Sequence, residues 1–232
     1  MAFAIKFENQ LLERLSEVDL KSLRPHLTSV GMGLHYDLEV PNKQIKHVYF
    51  MESGFASVVA TSPHTSVEVG LIGREGMSGS AVIMGNHRSP HATYIQAPGM
   101  GKCIPATELR KATQTSVSLR DSLLKFAQAF GVQTTHTAVS NAQSRLDVRL
   151  ARWLLMAHDR IGDDTLPLTH EFLSLMLGVR RPGVTEALHA LRKQDLISYA
   201  RGQITVKNRK RLERAAGKAY GTPEAEYRRL IG

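Results

Sequence analysis

The chain of 232 residues holds one cysteine, Cys103. That excludes a disulfide framework or a four-cysteine cluster within one chain, so no iron-sulfur cofactor is expected. No stretch is long and apolar enough to cross a bilayer, and no membrane partner is expected. The first residues, MAFAIKFENQLLERL, carry acids early and lack a long apolar core. They do not read as a secretory signal, and the expected setting is the cytoplasm. No internal repeat and no low-complexity tract is present. Missing too are a His-x-His pair, a Gly-rich phosphate motif and a nucleophile elbow. No catalytic residue and no metal ligand is therefore assigned, and a cupin-like metalloenzyme is the weaker alternative. Tryptophan occurs once, as Trp153, read as core packing.

Hydrophobic residues make up 42% of the chain, enough for real cores. The net charge is +9, unevenly placed. Residues 142–232 hold 17 Lys and Arg against 10 Asp and Glu, while residues 1–141 hold 13 against 11. Positive charge concentrated in one part suits phosphate binding.

Residues 8–23 have the pattern of an amphipathic helix or two short ones, with Leu11, Leu12, Leu15, Val18 and Leu23 facing inward. From about 28 to 108, short runs rich in Val, Ile and Tyr alternate with Gly, Pro, Asn and Ser, the pattern of a β-sandwich or barrel. Residues 114–141 turn helical. Leu119, Leu123, Phe126 and Phe130 repeat at four, three and four, an a/d seam that either pairs two chains or packs on the chain's own barrel. Gln133 and Thr137 continue that seam poorly. Residues 144–159 form a further amphipathic helix through Leu146, Leu150, Trp153 and Leu154.

The most informative stretch is LTHEFLSLMLGVRRPGVTEALHALRKQDLISYARGQITV, Leu168 to Val206. Thr169 caps a short helix with Phe172, Leu173 and Met176 on its apolar stripe, and Gly178 supplies a tight turn. A second helix carries Val184, Leu188 and Leu191. Helix, short Gly turn and helix is the layout of a helix-turn-helix. Leu196–Tyr199 and Gln203–Val206 then flank Ala200-Arg201-Gly202 as a hairpin, a wing. The tail after Gly221 is expected to be loosely held.

This order resembles the Crp/Fnr family of bacterial transcription regulators. The resemblance rests on Leu168-Thr169-His170-Glu171, Leu177-Gly178-Val179, Arg181 with Val184 and Thr185, Leu196-Ile197, and the helix from Leu146 to Leu155. It implies an α+β chain in four parts. These are a cyclic-nucleotide-binding-like antiparallel β-roll, jelly-roll-like, over 1–113; a long dimerisation helix and hinge over 114–141; a winged helix-turn-helix over 142–218; and a tail over 219–232. It also implies a homodimer with Leu119, Leu123, Phe126 and Phe130 at its interface. The partner is double-stranded DNA carrying a near-palindromic operator, and activation would add RNA polymerase.

By the same resemblance the recognition helix runs from about Arg180 to Gln194. Arg181 takes the guanine-reading position, where a guanidinium fork can bond O6 and N7 together. Pro182 replaces an acid, and Glu186, one turn on, accepts from cytosine N4 or orients Arg180 or Arg181. His189 reaches a phosphate or a base. Thr169, His170, Arg180, Thr185 and Arg201 are expected to clamp phosphates.

The family's cyclic-nucleotide cassette uses a Gly-Glu pair for ribose and an Arg followed by Ser or Thr, Ala and Thr for the phosphate. The matching region here supplies Gly76, Met77, Ser80, Arg88, Ala92 and Thr93 as the candidate effector pocket. Met77 or Ser80 stands where the Glu would be, and Pro90 where the Arg would be, with Arg88 two residues away. These departures argue against cAMP. The sensor either takes another small molecule or has lost its ligand; a cyclic-nucleotide or other small-molecule-binding module is the alternative reading, though it would not need the winged helix or its basic half. A haem would need an axial histidine, and His35, His47, His64, His87 and His91 sit in no diagnostic motif. Cys103 reads as a buried, inert strand thiol.

Overall fold

A computed structural model describes residues 6–62 and 65–232, with Thr65 described by its backbone alone. Residues 1–5, which open the stretch judged not to be a secretory signal, and His64 lie outside the described residues. The elements run α1 (Gln10–Glu13), α2 (Glu17–Leu23), β1 (Thr28–Met32), β2 (Asp37–Glu39), β3 (His47–Met51), β4 (Phe55–Ser62), β5 (Thr65–Ile72), α3 (Ser80–Ile83), β6 (Ala92–Ala97) and β7 (Gly99–Pro105). They continue through α4 (Ala106–Thr115), α5 (Val117–Gln143), α6 (Leu146–Ile161), β8 (Thr165–Pro167), α7 (His170–Leu177), α8 (Arg181–Lys193), β9 (Ile197–Ala200), β10 (Gln203–Val206), α9 (Arg209–Ala216) and α10 (Thr222–Leu230). Three sheets form, ordered β1-β7-β3, β2-β6-β4-β5 and β8-β10-β9 among the described residues. The chain divides into two compact units. One takes residues up to Val58, then Ile72–Gln128, with Ile231; the other takes Val59–Leu71 and Ala129–Leu230, with Gly232.

In the first unit β7 pairs antiparallel with β1 and with β3, placing Thr28 and Tyr49 on either side of Cys103. Phe50, Met51, Phe55, Met77, Ile95, Ile104 and Leu109 fill the interior. Burial raises the Cys103 thiol pKa above its ordinary value, against a hydrogen bond with Tyr49. Cys103 is half-buried rather than buried as expected, and a thiol kept protonated is a poor nucleophile. Val18, expected inward, is 78% exposed. Of the two readings, the stretch takes the two short helices, and Val18 falls on the outer side of α2.

The helical stretch begins earlier than the sequence suggests, with α4 directly after β7. It then breaks at Ser116, which has extended backbone. No Pro or Gly marks this break; a polar clasp does. Asp19 accepts hydrogen bonds from the hydroxyls of Ser16 at 2.8 Å and Ser118 at 2.7 Å, and from Ser116. The Ser116 hydroxyl also accepts the Leu119 N–H at 3.2 Å and so caps α5.

At Leu119, Leu123 and Phe126 the a/d seam of α5 is a core seam, which corrects the assignment of these three to a dimer interface, while Phe130 is half-buried. Leu119, Leu123 and Phe126 are buried by their own chain. Phe126 lies so close to Gly76 that a Cβ there would sit 2.6 Å from its ring. Phe130, in the second unit, stands in the same relation to Gly70, at 2.8 Å. Side chains spent on their own barrel cannot also face a partner. The outward face of α5 instead carries Leu124, Gly131 and Val139, all exposed.

In the second unit the polar residues of the seam have a structural reason. Gln133 is buried and pairs with the backbone of Leu71 in both directions, accepting its N–H at 2.7 Å and donating to its carbonyl at 3.2 Å. Thr137 accepts from the buried Arg152 at 3.0 Å. Trp153 packs edge-on to Phe172, ring centroids 5.3 Å apart, and donates to Glu68 of β5 at 2.6 Å. The tail is an ordered helix, α10, which corrects the expectation of a loose end. The Gly221 N–H donates to Glu224 at 2.9 Å, and Pro223 is buried. Just before it, Tyr220 donates to Asp159 and accepts from Arg209, which also pairs with Asp159 and Glu213.

Candidate nucleic-acid interface

Thr169 is the N-cap of α7, and its hydroxyl accepts the Phe172 N–H at 3.2 Å. This satisfies one of the donors that a helix start leaves open. Gly178 ends α7 in the left-handed region at φ 61°, with Gly178 N–H donating to Leu175 and Val179 N–H to Ser174. That pair of bonds is a Schellman motif. Arg149 of α6 supports the same corner: it donates to the Leu177 carbonyl and, at 3.0 Å, to Asn141. Arg180 is then the N-cap of α8, and Pro182 lies in its first turn, where a missing N–H breaks no helix bond.

Helix α8 is amphipathic. Val184, Ala187, Leu188 and Leu191 are buried, while Arg180, Arg181, Glu186 and His189 are exposed. The helix ends with Asp195 in the left-handed region, whose N–H donates to Arg192 while Leu196 N–H donates to Leu191. The wing follows. Ala200 pairs with Gln203, so the turn is the two residues Arg201-Gly202 and Ala200 belongs to the strand. Both turn residues have positive φ, 49° and 75°, the requirement of a type I′ hairpin turn. The sequence reading missed the third strand, β8, which pairs with β10 through Leu166 and Ile204.

Contacts link most of the expected residues into one surface. A Cβ on Gly202 would lie 3.7 Å from Thr169, which brings the wing turn to the start of α7. His170 lies 3.4 Å from the Thr185 hydroxyl. Tyr199 of the wing, which sequence reasoning passed over, is the hub. The rings of His170 and His189 meet it edge-on at 5.9 and 6.2 Å, and the Arg192 guanidinium lies 5.4 Å from its centroid. Its basic partners lie 7 to 29 residues away in sequence, so no local pattern marked it. Arg181 pairs with Glu171 of α7 at 2.8 Å, so its orienting acid is Glu171 and not Glu186. Both partners are exposed, and such a pair contributes about 0–1 kcal/mol, so it positions the fork without locking it. The surface thus presents guanidinium forks, a hydroxyl and imidazoles, donors suited to phosphate oxygens and base edges.

Of the six candidate effector-pocket residues, two lie in the core. Gly76 lies beneath Phe126 and Met77 is fully buried, so both belong to the core, which corrects their reading as pocket lining. Arg88 is exposed and its guanidinium lies against His87. Ser80 and Ala92 are half-buried, and Thr93 is buried with its hydroxyl donated to Glu39. No group of three or more His, Cys, Asp or Glu able to hold a metal ion is found among the described residues. Among those residues, too, no helix is long and apolar enough to cross a membrane.

Residues 148–215 match the family model described as a Crp-like helix-turn-helix domain. No curated protein shows a significant match to the sequence. Among solved structures, the chain is similar to a transcriptional regulator of the Crp/Fnr family from Eubacterium rectale. The two share 19% identity over 89% of this chain and 97% of that one, with a TM-score of 0.70. FixK2 from Bradyrhizobium japonicum matches at 16% identity over 84% and 99% of the two chains, TM-score 0.70. The c-di-GMP-responsive global regulator CLP of Xanthomonas campestris matches at 16% identity over 83% and 100%, TM-score 0.65. The chain therefore carries a Crp-like helix-turn-helix domain at residues 148–215 and shares its fold with transcriptional regulators of the Crp/Fnr family.

Proposed function

We propose that the chain is a cytoplasmic, homodimeric, sequence-specific DNA-binding transcriptional regulator, not an enzyme, with α8 as the helix that enters the major groove. The observation that carries this is the division of α8. Its apolar side is buried against the domain, and its outer side, with the N-cap, leaves Arg180, Arg181, Glu186 and His189 in solvent beside Thr169, His170 and Thr185. The wing turn that exposes Arg201 lies, through Gly202, beside Thr169 at the start of α7. Arg181 reads a guanine, Glu186 and His189 tune the neighbouring positions, and Thr169, His170, Arg180, Thr185 and Arg201 hold phosphates.

The second copy is placed along the outward face of α5. Leu124 and Val139 are exposed there, and a Cβ on Gly131 would meet nothing within 4 Å. Two copies paired along such a helix place two recognition helices about one DNA turn apart on a near-palindromic site. The sensor does not take cAMP: the ribose acid is missing, Pro90 replaces the phosphate Arg, and Arg88 is turned to His87.

Fluorescence anisotropy with promoter and scrambled duplexes, repeated across salt, tests the reading. The expected result is tighter binding to a subset of promoters and a log affinity that falls linearly with log salt. Equal, weak binding to every duplex would contradict it.

A further inference from the structure

DNA binding leaves one buried acid of the first unit without a role. Glu39 ends β2 and is 8% exposed. Its Oε1 accepts the Gly79 N–H at 2.8 Å and the Thr93 hydroxyl at 3.2 Å. Three separate segments meet at this carboxylate: β2, the turn before α3, and β6. The strand pairing fixes the meeting, because Glu39 lies opposite Thr93 in the β2–β6 register. The Gly79 amide is fixed too. Gly79 has φ 70°, and a Cβ there would lie 2.8 Å from a Val48 methyl. Burial pushes the Glu39 pKa above the ordinary glutamate value, opposed by the Gly79 and Thr93 hydrogen bonds and by the nearby His91. A charge in such a place is costly unless donors meet it.

We propose that Glu39 is a built-in anion: its carboxylate occupies the donors that an external oxyanion would need, so the β-roll is self-liganded and closed to phosphate-bearing effectors. An amide N–H and a hydroxyl that hold a carboxylate can hold another oxyanion of similar size. While Glu39 is in place, a phosphate group meets both an occupied site and a like charge. The inference deepens the reading that the sensor does not take cAMP, and rests on it. It adds the chain's own residue that enforces the exclusion.

Full-length wild type, Glu39→Gln and Glu39→Ala are titrated with inorganic phosphate, acetate and cAMP, reading thermal midpoint and calorimetric heat. The Gln amide oxygen can accept the same two hydrogen bonds, so wild type and Glu39→Gln should fold alike and respond to none of the three. Glu39→Ala should melt lower, and phosphate or acetate should restore the midpoint saturably, binding about tenfold or more tighter than to wild type. If Glu39→Ala does not fold in plain buffer, refolding in phosphate or acetate replaces the titration. Recovery supports the proposal, and no recovery overturns it. A lowered midpoint that neither anion restores overturns it, as does an unchanged midpoint or anion binding by Glu39→Gln. Tight cAMP binding by wild type overturns the effector reading as well, whereas silent wild type with anion-blind Glu39→Ala overturns only this inference.

Discussion

Arg181 and Arg201 are both exposed arginines, yet their loss should be felt differently. Arg181 starts α8 and is positioned by Glu171; Arg201 sits at the tip of a hairpin turn. Arg181→Ala should cost about 1–3 kcal/mol on a specific site, much less on random DNA, and relax preference at one base position. Arg201→Ala should weaken every duplex by a similar factor and lower the salt slope by about one. Parallel titrations on specific and random duplexes check both, and equal losses for Arg181→Ala on the two would remove its base-reading role. Asp19 gives a prediction at acid pH. Burial raises its pKa, but the hydroxyls of Ser116, Ser118 and Ser16 together outweigh this and leave it below the usual 3.8. A depressed carboxylate contributes stability above its unfolded value and loses it as pH falls through the folded one. Asp19→Asn should therefore cost about 1–2 kcal/mol near neutral pH, a gap that narrows below about pH 4. Denaturant titrations of both proteins across that range measure it. Thr169, Gly178 and Arg181 were legible in the sequence because their chemistry is local: a cap, a left-handed turn, a first-turn fork. Tyr199, Arg149 and Glu39 were not, because each acts through partners far along the chain.

Two element ends and one helix face set the geometry of the interface. The α7 end uses Gly178 at φ 61° and the α8 end uses Asp195 at φ 57°, each closing a Schellman motif. Gly178→Ala should destabilise the second unit by about 1–2 kcal/mol, because a Cβ in this region meets the following carbonyl. Thermal unfolding followed at Trp153 reports it. On α5, neighbouring leucines should behave oppositely. Leu123 is fully buried and Leu124 is 36% exposed. Leu123→Ala should cost about 2–5 kcal/mol of folding stability. Leu124→Asp should leave folding nearly unchanged and shift the chain to monomer in sedimentation. Dissociation by Leu123→Ala alone would return the interface to the inner seam. Periodicity found this helix but could not say which face was inward. An a/d repeat looks the same against a partner as against a barrel, and the outer stripe is diluted by Gln128, Gly131 and Thr135. The break at Ser116 escaped notice because its cause, Asp19, lies far back in sequence.

At the scale of the whole molecule, order of parts and charge were readable in advance, while the packing of the β5 arm was not. Short strands, long helix and winged helix-turn-helix follow from local patterns, and the basic excess coincides with the last of these. No local pattern says that Glu68 will accept from Trp153 or that Gln133 will pair with the Leu71 backbone. In the proposed function a basic, two-helix reading surface works together with an outward stripe that pairs two copies. Selection of bound duplexes from a random pool by the full-length chain, followed by sequencing, tests that union most directly. It should enrich a two-fold symmetric motif whose half-site centres lie about 10 base pairs, roughly 34 Å, apart, and Arg181→Ala should lose one base position in each half-site. An unenriched pool, or a single asymmetric site, would contradict it.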